Sequence, residues 1–205
     1  LFKGTPNFPK SLADRAISRE GGIFNGFTWF DFTTYFETLP AAKWELGAQI
    51  EADRMRNALF DPKEVEAERT VVISEREGHE NDPQFLLSEE VIAAAFRVHP
   101  YRHQVIGDMC DLQTMTRDDL YTHYRTYYAP NNAVVVAVGD FETAGALRSI
   151  ERYFGKIKPG PPIAPVAARE PPQRGERRVQ VEGPGTTAYI EMVYHAPQAS
   201  HPDFP

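Results

Sequence analysis

The stretch EVEAERTVVISEREGHE, residues 64–80, constrains the fold more than any other part of the chain, because its pattern predicts one long helix. Asp61 suits the N-cap, Pro62 fits the first helical position, and Glu64 places a negative charge in the first turn. The apolar side of this helix is supplied by Val65, Val72 and Ile73. The pattern therefore predicts a helix that packs one side against the protein and exposes the other.

Two carboxylates of this segment, Glu68 and Glu75, are seven residues apart. Seven residues is close to two helical turns, so both side chains lie on the same side of the helix. A helix that gives a metal one ligand and one supporting acid has this pattern. An ordinary solvated helix has it too, so the segment alone leaves both interpretations open.

Helical and strand patterns alternate along the rest of the chain. Aromatic and β-branched residues predict strands within residues 23–39, and the apolar run at 133–139 predicts a buried central strand. Further helices are predicted at residues 9–20, 41–59, 83–96, 116–127 and 143–154. The alternation predicts an α+β fold, a layered α/β domain with a mixed sheet and packed helices.

Proline becomes frequent after the last of these helices, in KPGPPIAPVAAREPPQRG. Such composition favours extended structure, so residues 159–175 are predicted to link two domains. Beyond it, RRVQVEG and TTAYIEMVYHAP alternate as two strands that turn at Gly183-Pro184-Gly185. We therefore predict a first α/β domain over residues 1–158 and the start of a second similar domain over residues 176–205.

Composition excludes some classes of protein. The net charge of -7 and the mixed signs along the chain argue against a nucleic-acid surface, which needs clustered Lys and Arg. No apolar run reaches the roughly 18 residues that span a membrane, so a soluble protein is predicted. Cys110 is the only cysteine, so no internal disulfide forms. The compartment stays open, with bacterial cytoplasm and periplasm both possible.

Four segments occur in an order that resembles a known family: LFKGTPNFPKS, GGIFNGFTWFDFTTYFETLP, AERTVVISE and YYAPNNAVVVAVGDF. They are similar to the pitrilysin/insulysin zinc metallopeptidases, in the bacterial branch that resembles the processing peptidases. The resemblance implies clam-like metallopeptidase domains and an H-x-x-E-H motif with two histidine ligands and a general base. In the family this motif directly precedes a segment like LFKGTP. The resemblance thus implies an N-terminally truncated fragment whose motif lies just before Leu1.

The resemblance assigns Glu75 as the third zinc ligand and Glu68 as an acid that supports the site. The histidines of the chain are His79, His99, His103, His123, His195 and His201, and none forms the motif. Two pairs are alternative ligand sets, Glu75 with His79 and His99 with His103, and the other interpretation is that these are surface or loop histidines. Because a catalytic zinc needs three protein ligands, the fragment alone is expected to be inactive.

The resemblance also implies that Asn25, Gly26, Phe27 and Thr28 form an edge strand on which a peptide substrate pairs through its backbone. The alternative is that Asn25-Gly26 is a turn between strands. The neighbouring aromatic residues are predicted to pack in the core or between domains: Phe24, Trp29, Phe30, Phe32, Tyr35 and Phe36.

The function implied for the full-length protein is that of a zinc-dependent metalloendopeptidase acting on peptides or unfolded segments. The alternative is a non-catalytic homologue that serves as a substrate-binding or structural partner subunit. The implied partners are a peptide or unfolded-protein substrate and a homologous partner subunit or the second half of the same chain. Neither nucleic acid nor a membrane span is expected.

Overall fold

The computed structural model describes residues 1–183 and 185–204, and the chain divides into two compact units. Unit 1 comprises residues 1–68 and 115–165, and unit 2 comprises residues 69–114 and 166–205. In chain order the elements are α1 (Leu12–Arg19), β1 (Ile23–Thr28), β2 (Thr33–Thr38), α2 (Trp44–Asn57), α3 (Pro62–His79), α4 (Pro83–Ala95), α5 (Met109–Thr114), α6 (Arg117–Tyr127) and α7 (Thr143–Phe154). The fold is a mixed α/β fold, as predicted. No helix within the described residues has the length and apolar character to cross a membrane.

The sheet of unit 1 is an antiparallel hairpin of β1 and β2, in which Asn25 is opposite Phe36 and Phe27 is opposite Thr34. The backbone N–H of Trp29 closes the hairpin by donating to the Phe32 carbonyl at 2.8 Å. Among the described residues this two-stranded sheet has no further strand, so the outer edge of β1 is unpaired.

Unit 1 has its core where α2 packs against α7 and β2, and where α1 packs against β1. Tyr124 of α6 is almost fully buried there. Its hydroxyl donates to the Arg54 carbonyl at 2.8 Å and accepts from the Ala58 N–H at 3.1 Å. These bonds satisfy backbone groups at the C-terminal end of α2, which a helix leaves without internal partners. The other buried apolar residues are Ile17, Ile50, Ala52, Ala58, Ala129 and Ala146.

Several helix ends form as their residue types dictate. The Asp61 carboxylate accepts the N–H groups of Lys63 at 2.9 Å and Glu64 at 3.3 Å, so it caps α3 as predicted. Thr116 and Asp119 form a reciprocal capping box at the start of α6. Helix α7 has the predicted bounds, whereas the short helix α5 falls within a stretch that the sequence left unassigned.

In unit 2, Glu170 of the proline-rich segment and Arg177, just beyond that segment, bond to the C-terminal end of α4 and the residues that follow it. The Glu170 carboxylate accepts three successive backbone N–H groups, from Arg97 (2.8 Å), Val98 (2.9 Å) and His99 (3.1 Å). Burial acts to raise the pKa of Glu170, but these hydrogen bonds prevail and lower it to about 2. Arg177 donates to the Ala95 carbonyl at 3.2 Å, and such a cation stabilises the end of a helix.

Three predicted strands are not formed, so these predictions were wrong. Residues 133–138 form no ladder, and Val134, Val136 and Val138 are 89%, 78% and 91% exposed. Residues 177–183 and 186–197 likewise form no ladder. A strand needs hydrogen-bonding neighbours, and among the described residues these segments have none; β-branched residues indicate only a preference for extended backbone. The predicted turn at Gly183-Pro184-Gly185 includes Pro184, which lies outside the described residues.

Candidate functional site

Helix α3 carries both of the carboxylates that the sequence singled out. Glu68 and Glu75 are exposed, and their spacing along one continuous helix puts them on the same side of it, as predicted. The two residues differ in what surrounds them. Glu68 forms an ion pair in unit 1, and Glu75 lies beside a buried arginine in unit 2.

Glu68 pairs with Lys3, with 2.7 Å between its Oε2 and the lysine Nζ. The hydrogen bond from Lys3 to Glu68 raises the pKa of the lysine. Glu68 therefore holds the segment around Lys3, and sequence reasoning missed Lys3 as its partner.

Asp53 of α2 anchors the same N-terminal segment. Its carboxylate accepts hydrogen bonds from the Thr5 hydroxyl, from Asn7 Nδ2 at 2.7 Å and from Asn57 Nδ2 at 2.8 Å. Asp53 is only 9% exposed, and the Thr5 hydroxyl in turn accepts the Phe8 N–H at 2.9 Å. A buried carboxylate needs such partners, so residues 5–8 are fixed to α2. No local sequence pattern indicates this long-range cluster.

Arg54 of α2 contacts both the N-terminal segment and the hairpin. Its guanidinium lies 4.7 Å from the ring centre of Phe2 and 4.2 Å from that of Tyr35, and it pairs with Glu51. Glu37 of β2 lies 3.9 Å from the same guanidinium. Burial, together with the neighbouring Glu51 carboxyl, raises the pKa of Glu37 to about 9. The Arg54 cluster thus joins the chain start, α2 and the hairpin within unit 1.

Glu75 is exposed, and among the described residues its carboxylate has no hydrogen bond or ion pair. The next residue, Arg76, is buried. It pairs with Glu89 at 2.6 Å and Glu80 at 3.0 Å, and donates to the Gly107 carbonyl at 3.2 Å. Burial acts to lower the pKa of Arg76, but Glu89 and Glu80 outweigh it and raise the pKa. Sequence reasoning missed Arg76.

The described residues contain no group of three His, Cys, Asp or Glu side chains arranged to hold a metal ion. His79, the alternative partner of Glu75, packs its ring 5.2 Å from that of Phe85. A free carboxylate on a helix fits the part of one zinc ligand, but a catalytic zinc needs three. These residues thus fit one position of a zinc site, and not the whole site.

The four residues that the resemblance assigned to substrate lie within β1, so the alternative of a turn at Asn25-Gly26 was wrong. The Gly26 N–H donates to Asn25 Oδ1 at 2.8 Å. A Cβ atom at Gly26 would lie only 2.9 Å from the Tyr35 ring. Because glycine has no Cβ, this ring can pack closely against the backbone of β1.

The aromatic residues around β1 divide into two groups. Phe24 and Tyr35 pack as predicted, each with an edge-to-face contact to Phe2 at 5.2 and 5.8 Å. The others are exposed, so a place in the core was wrong for Trp29, Phe30, Phe32 and Phe36. A packing role for them between domains stays a prediction.

Comparison with known proteins gives two family matches. Residues 1–109 match the model described as insulinase, peptidase family M16, and residues 114–205 match the one described as the peptidase M16 inactive domain. The zinc protease PqqE of Helicobacter pylori is 30% identical over 98% of this chain and 46% of its own length. The mitochondrial-processing peptidase subunit beta of Caenorhabditis elegans is 28% identical over 78% of this chain and 35% of its own length.

Solved structures agree. A crystal structure of a protease from Helicobacter pylori covers 83% of this chain with a TM-score of 0.79 and 31% identity, over 42% of that chain. The first half of the periplasmic protease PqqL from Escherichia coli covers 82% of it with a TM-score of 0.68 and 25% identity, over 38% of that chain. This chain spans less than half the length of these relatives. It belongs to the insulinase family of peptidases, peptidase family M16, with pitrilysin and insulysin.

Proposed function

We propose that the protein containing this chain is a zinc-dependent metalloendopeptidase that hydrolyses peptide bonds in peptides or unfolded segments. The observation that carries the proposal is the match of residues 1–109 to the insulinase, peptidase family M16, model. Within that stretch, Glu75 is an exposed carboxylate at the position that the resemblance assigns to the third zinc ligand. The names of the zinc protease and processing peptidase relatives support the same activity.

In this proposal Glu75 supplies one carboxylate oxygen to zinc, and the other ligands and the general base come from residues outside this chain. A bound zinc ion would supply Lewis-acid polarisation at the scissile peptide bond. Glu68 holds Lys3 at 2.7 Å, and so fixes the N-terminal segment beside α3. Asp53 fixes the same segment from α2 through Thr5 and Asn7.

We place the substrate along the unpaired edge of β1, where it would add a strand through backbone hydrogen bonds. The Gly26 N–H donates to the Asn25 side chain, and a bound peptide carbonyl would take the place of that acceptor. The displaced Asn25 amide could then bond the peptide itself. Backbone pairing of this kind is largely independent of sequence, which suits an enzyme that acts on varied peptides.

The decisive test compares Glu75→Gln with Glu77→Gln in the complete protein. Both residues are exposed acids of α3, so the second variant controls for the loss of one charge. We expect the first variant to lose zinc and peptidase activity and the second to keep both. Normal zinc content and turnover in Glu75→Gln would refute the assignment of Glu75.

A second candidate is a non-catalytic homologue that acts as a partner subunit. The likeness to one subunit of a processing peptidase favours it. Reading the coding region upstream of Leu1 separates the two candidates. An intact H-x-x-E-H there supports the enzyme, whereas a degenerate motif supports the partner subunit.

A further inference from the structure

A glutamate followed by an arginine occurs twice on α3, at Glu68-Arg69 and again seven residues later at Glu75-Arg76. Both arginines donate to backbone carbonyl groups of one short segment, residues 107–112. Arg69 reaches the Leu112 carbonyl at 2.6 Å, and Arg76 reaches the Gly107 carbonyl at 3.2 Å. The segment and both arginines belong to unit 2.

Arg76 is held more firmly than a surface arginine. Its side chain is only 7% exposed, and separate guanidinium nitrogens bond Glu80, Glu89 and Gly107. Its charge also lies 5.2 Å from the ring centre of Phe85. Gly107 turns through a φ of +86°, a conformation that favours glycine, and so presents its carbonyl to the arginine.

Neighbouring residues of a helix are about 100° apart around its axis. When an arginine is fixed against residues 107–112, the glutamate before it is turned away from that contact, and both glutamates are exposed. Two arginines seven residues apart fix the rotation of α3 at two levels. The exposed direction of Glu68 and Glu75 is therefore set by contacts that neither glutamate makes.

We propose that Arg69 and Arg76 are positioning residues that fix the rotation of α3 and thereby direct Glu75 toward zinc. This inference rests on the proposed function. It assigns the two arginines no contact with zinc or substrate. Their role is to keep the ligand carboxylate in place before the metal binds, so that binding does not have to order it.

The test uses the complete protein and the variants Arg76→Gln, Arg76→Lys and Arg69→Gln. The matched control is Arg56→Gln, because Arg56 of α2 donates to the Tyr128 carbonyl at 2.9 Å and has no part in α3. Zinc affinity is measured by competition with a chelator, and amide hydrogen exchange is followed over residues 72–79. KM and kcat are measured separately.

We expect Arg76→Gln to weaken zinc binding about 10–100-fold, to speed exchange over residues 72–79 and to lower kcat with little change in KM. Arg76→Lys should recover part of the zinc affinity, Arg69→Gln should have a smaller effect on it, and Arg56→Gln should leave it unchanged. Wild-type zinc affinity in Arg76→Gln would overturn the inference.

If the wild-type protein binds no zinc, the proposed function fails, and hydrogen exchange decides the role of the arginines by itself. Faster exchange over residues 72–79 in Arg76→Gln would still support the fixing of α3. Unchanged exchange would overturn it. If Arg76→Gln does not fold, Arg76→Lys provides the same comparison, since it keeps the charge and loses the three directed bonds.

Discussion

Replacing Asp53 by alanine tests whether this carboxylate anchors the N-terminal segment. The change removes three hydrogen bonds, two of them to residues 46 and 48 positions earlier in the chain. Each hydrogen bond to a charged group contributes about 1.5–3 kcal/mol. The donors on Asn7 and Asn57 are only partly buried and regain bonds to water, so the sum is an upper limit.

We therefore expect Asp53→Ala to lower the free energy of unfolding by about 2–4 kcal/mol. For a chain of this size that corresponds to a fall in Tm of roughly 5–15 °C. Urea unfolding measures the loss of stability, and amide hydrogen exchange at residues 5–8 reports whether the loss lies where the structure puts it. The stability of Asp53→Asn should lie between those of the wild type and Asp53→Ala, because the asparagine amide keeps one acceptor oxygen.

The control is Asp140→Ala, which removes an exposed aspartate from a loop. Its free energy of unfolding should change by no more than about 0.5 kcal/mol. If Asp53→Ala were as stable as this control, or if its exchange rates rose everywhere except at residues 5–8, the anchoring role of Asp53 would be refuted.

Three further predictions follow from buried or well-bonded groups. Glu37 has a pKa of about 9 in the folded chain, raised from the ordinary glutamate value of 4.5. The free energy of unfolding should therefore fall as pH rises from 4.5 toward 9. Urea unfolding at pH 5 and pH 8.5 should show that the free energy of unfolding of Glu37→Gln changes less with pH than that of the wild type. An equal change in both proteins would contradict this. Tyr124→Phe removes two bonds to buried backbone groups and should cost about 2–4 kcal/mol in urea unfolding; a loss below about 0.5 kcal/mol would contradict it. Glu170 has a lowered pKa of about 2. Its contribution to the free energy of unfolding is therefore present above pH 4.5 and is lost as pH falls through 2. In an acid titration, Glu170→Gln should lose less stability between pH 4.5 and pH 2 than the wild type. Identical titrations of the two proteins would exclude a contribution from Glu170.

Local patterns in the sequence predicted the helices well. Helix α3 begins at Pro62 with Asp61 as its cap, and α7 begins and ends at the predicted residues, because these boundaries depend on neighbours within a few positions. The strands within residues 23–39 were predicted for the same reason, because aromatic and β-branched residues favour extended backbone. Their pairing around a turn at residues 29–32 was not predicted.

Contacts between distant residues were not predictable in this way. The run at 133–138 has the composition of a buried strand, yet its burial depends on neighbouring strands that no local pattern specifies. Asp53 looks like one more acid on a polar helix face, and only the fold brings Thr5 to it. Arg76 likewise becomes informative only when α4 and Gly107 surround it.

Anomalous X-ray diffraction at the zinc absorption edge, from crystals of the complete protein, tests whether Glu75 binds zinc. We expect a zinc peak about 2.0–2.2 Å from a carboxylate oxygen of Glu75. A zinc peak at a site that does not include Glu75, with this carboxylate left in solvent, would contradict it.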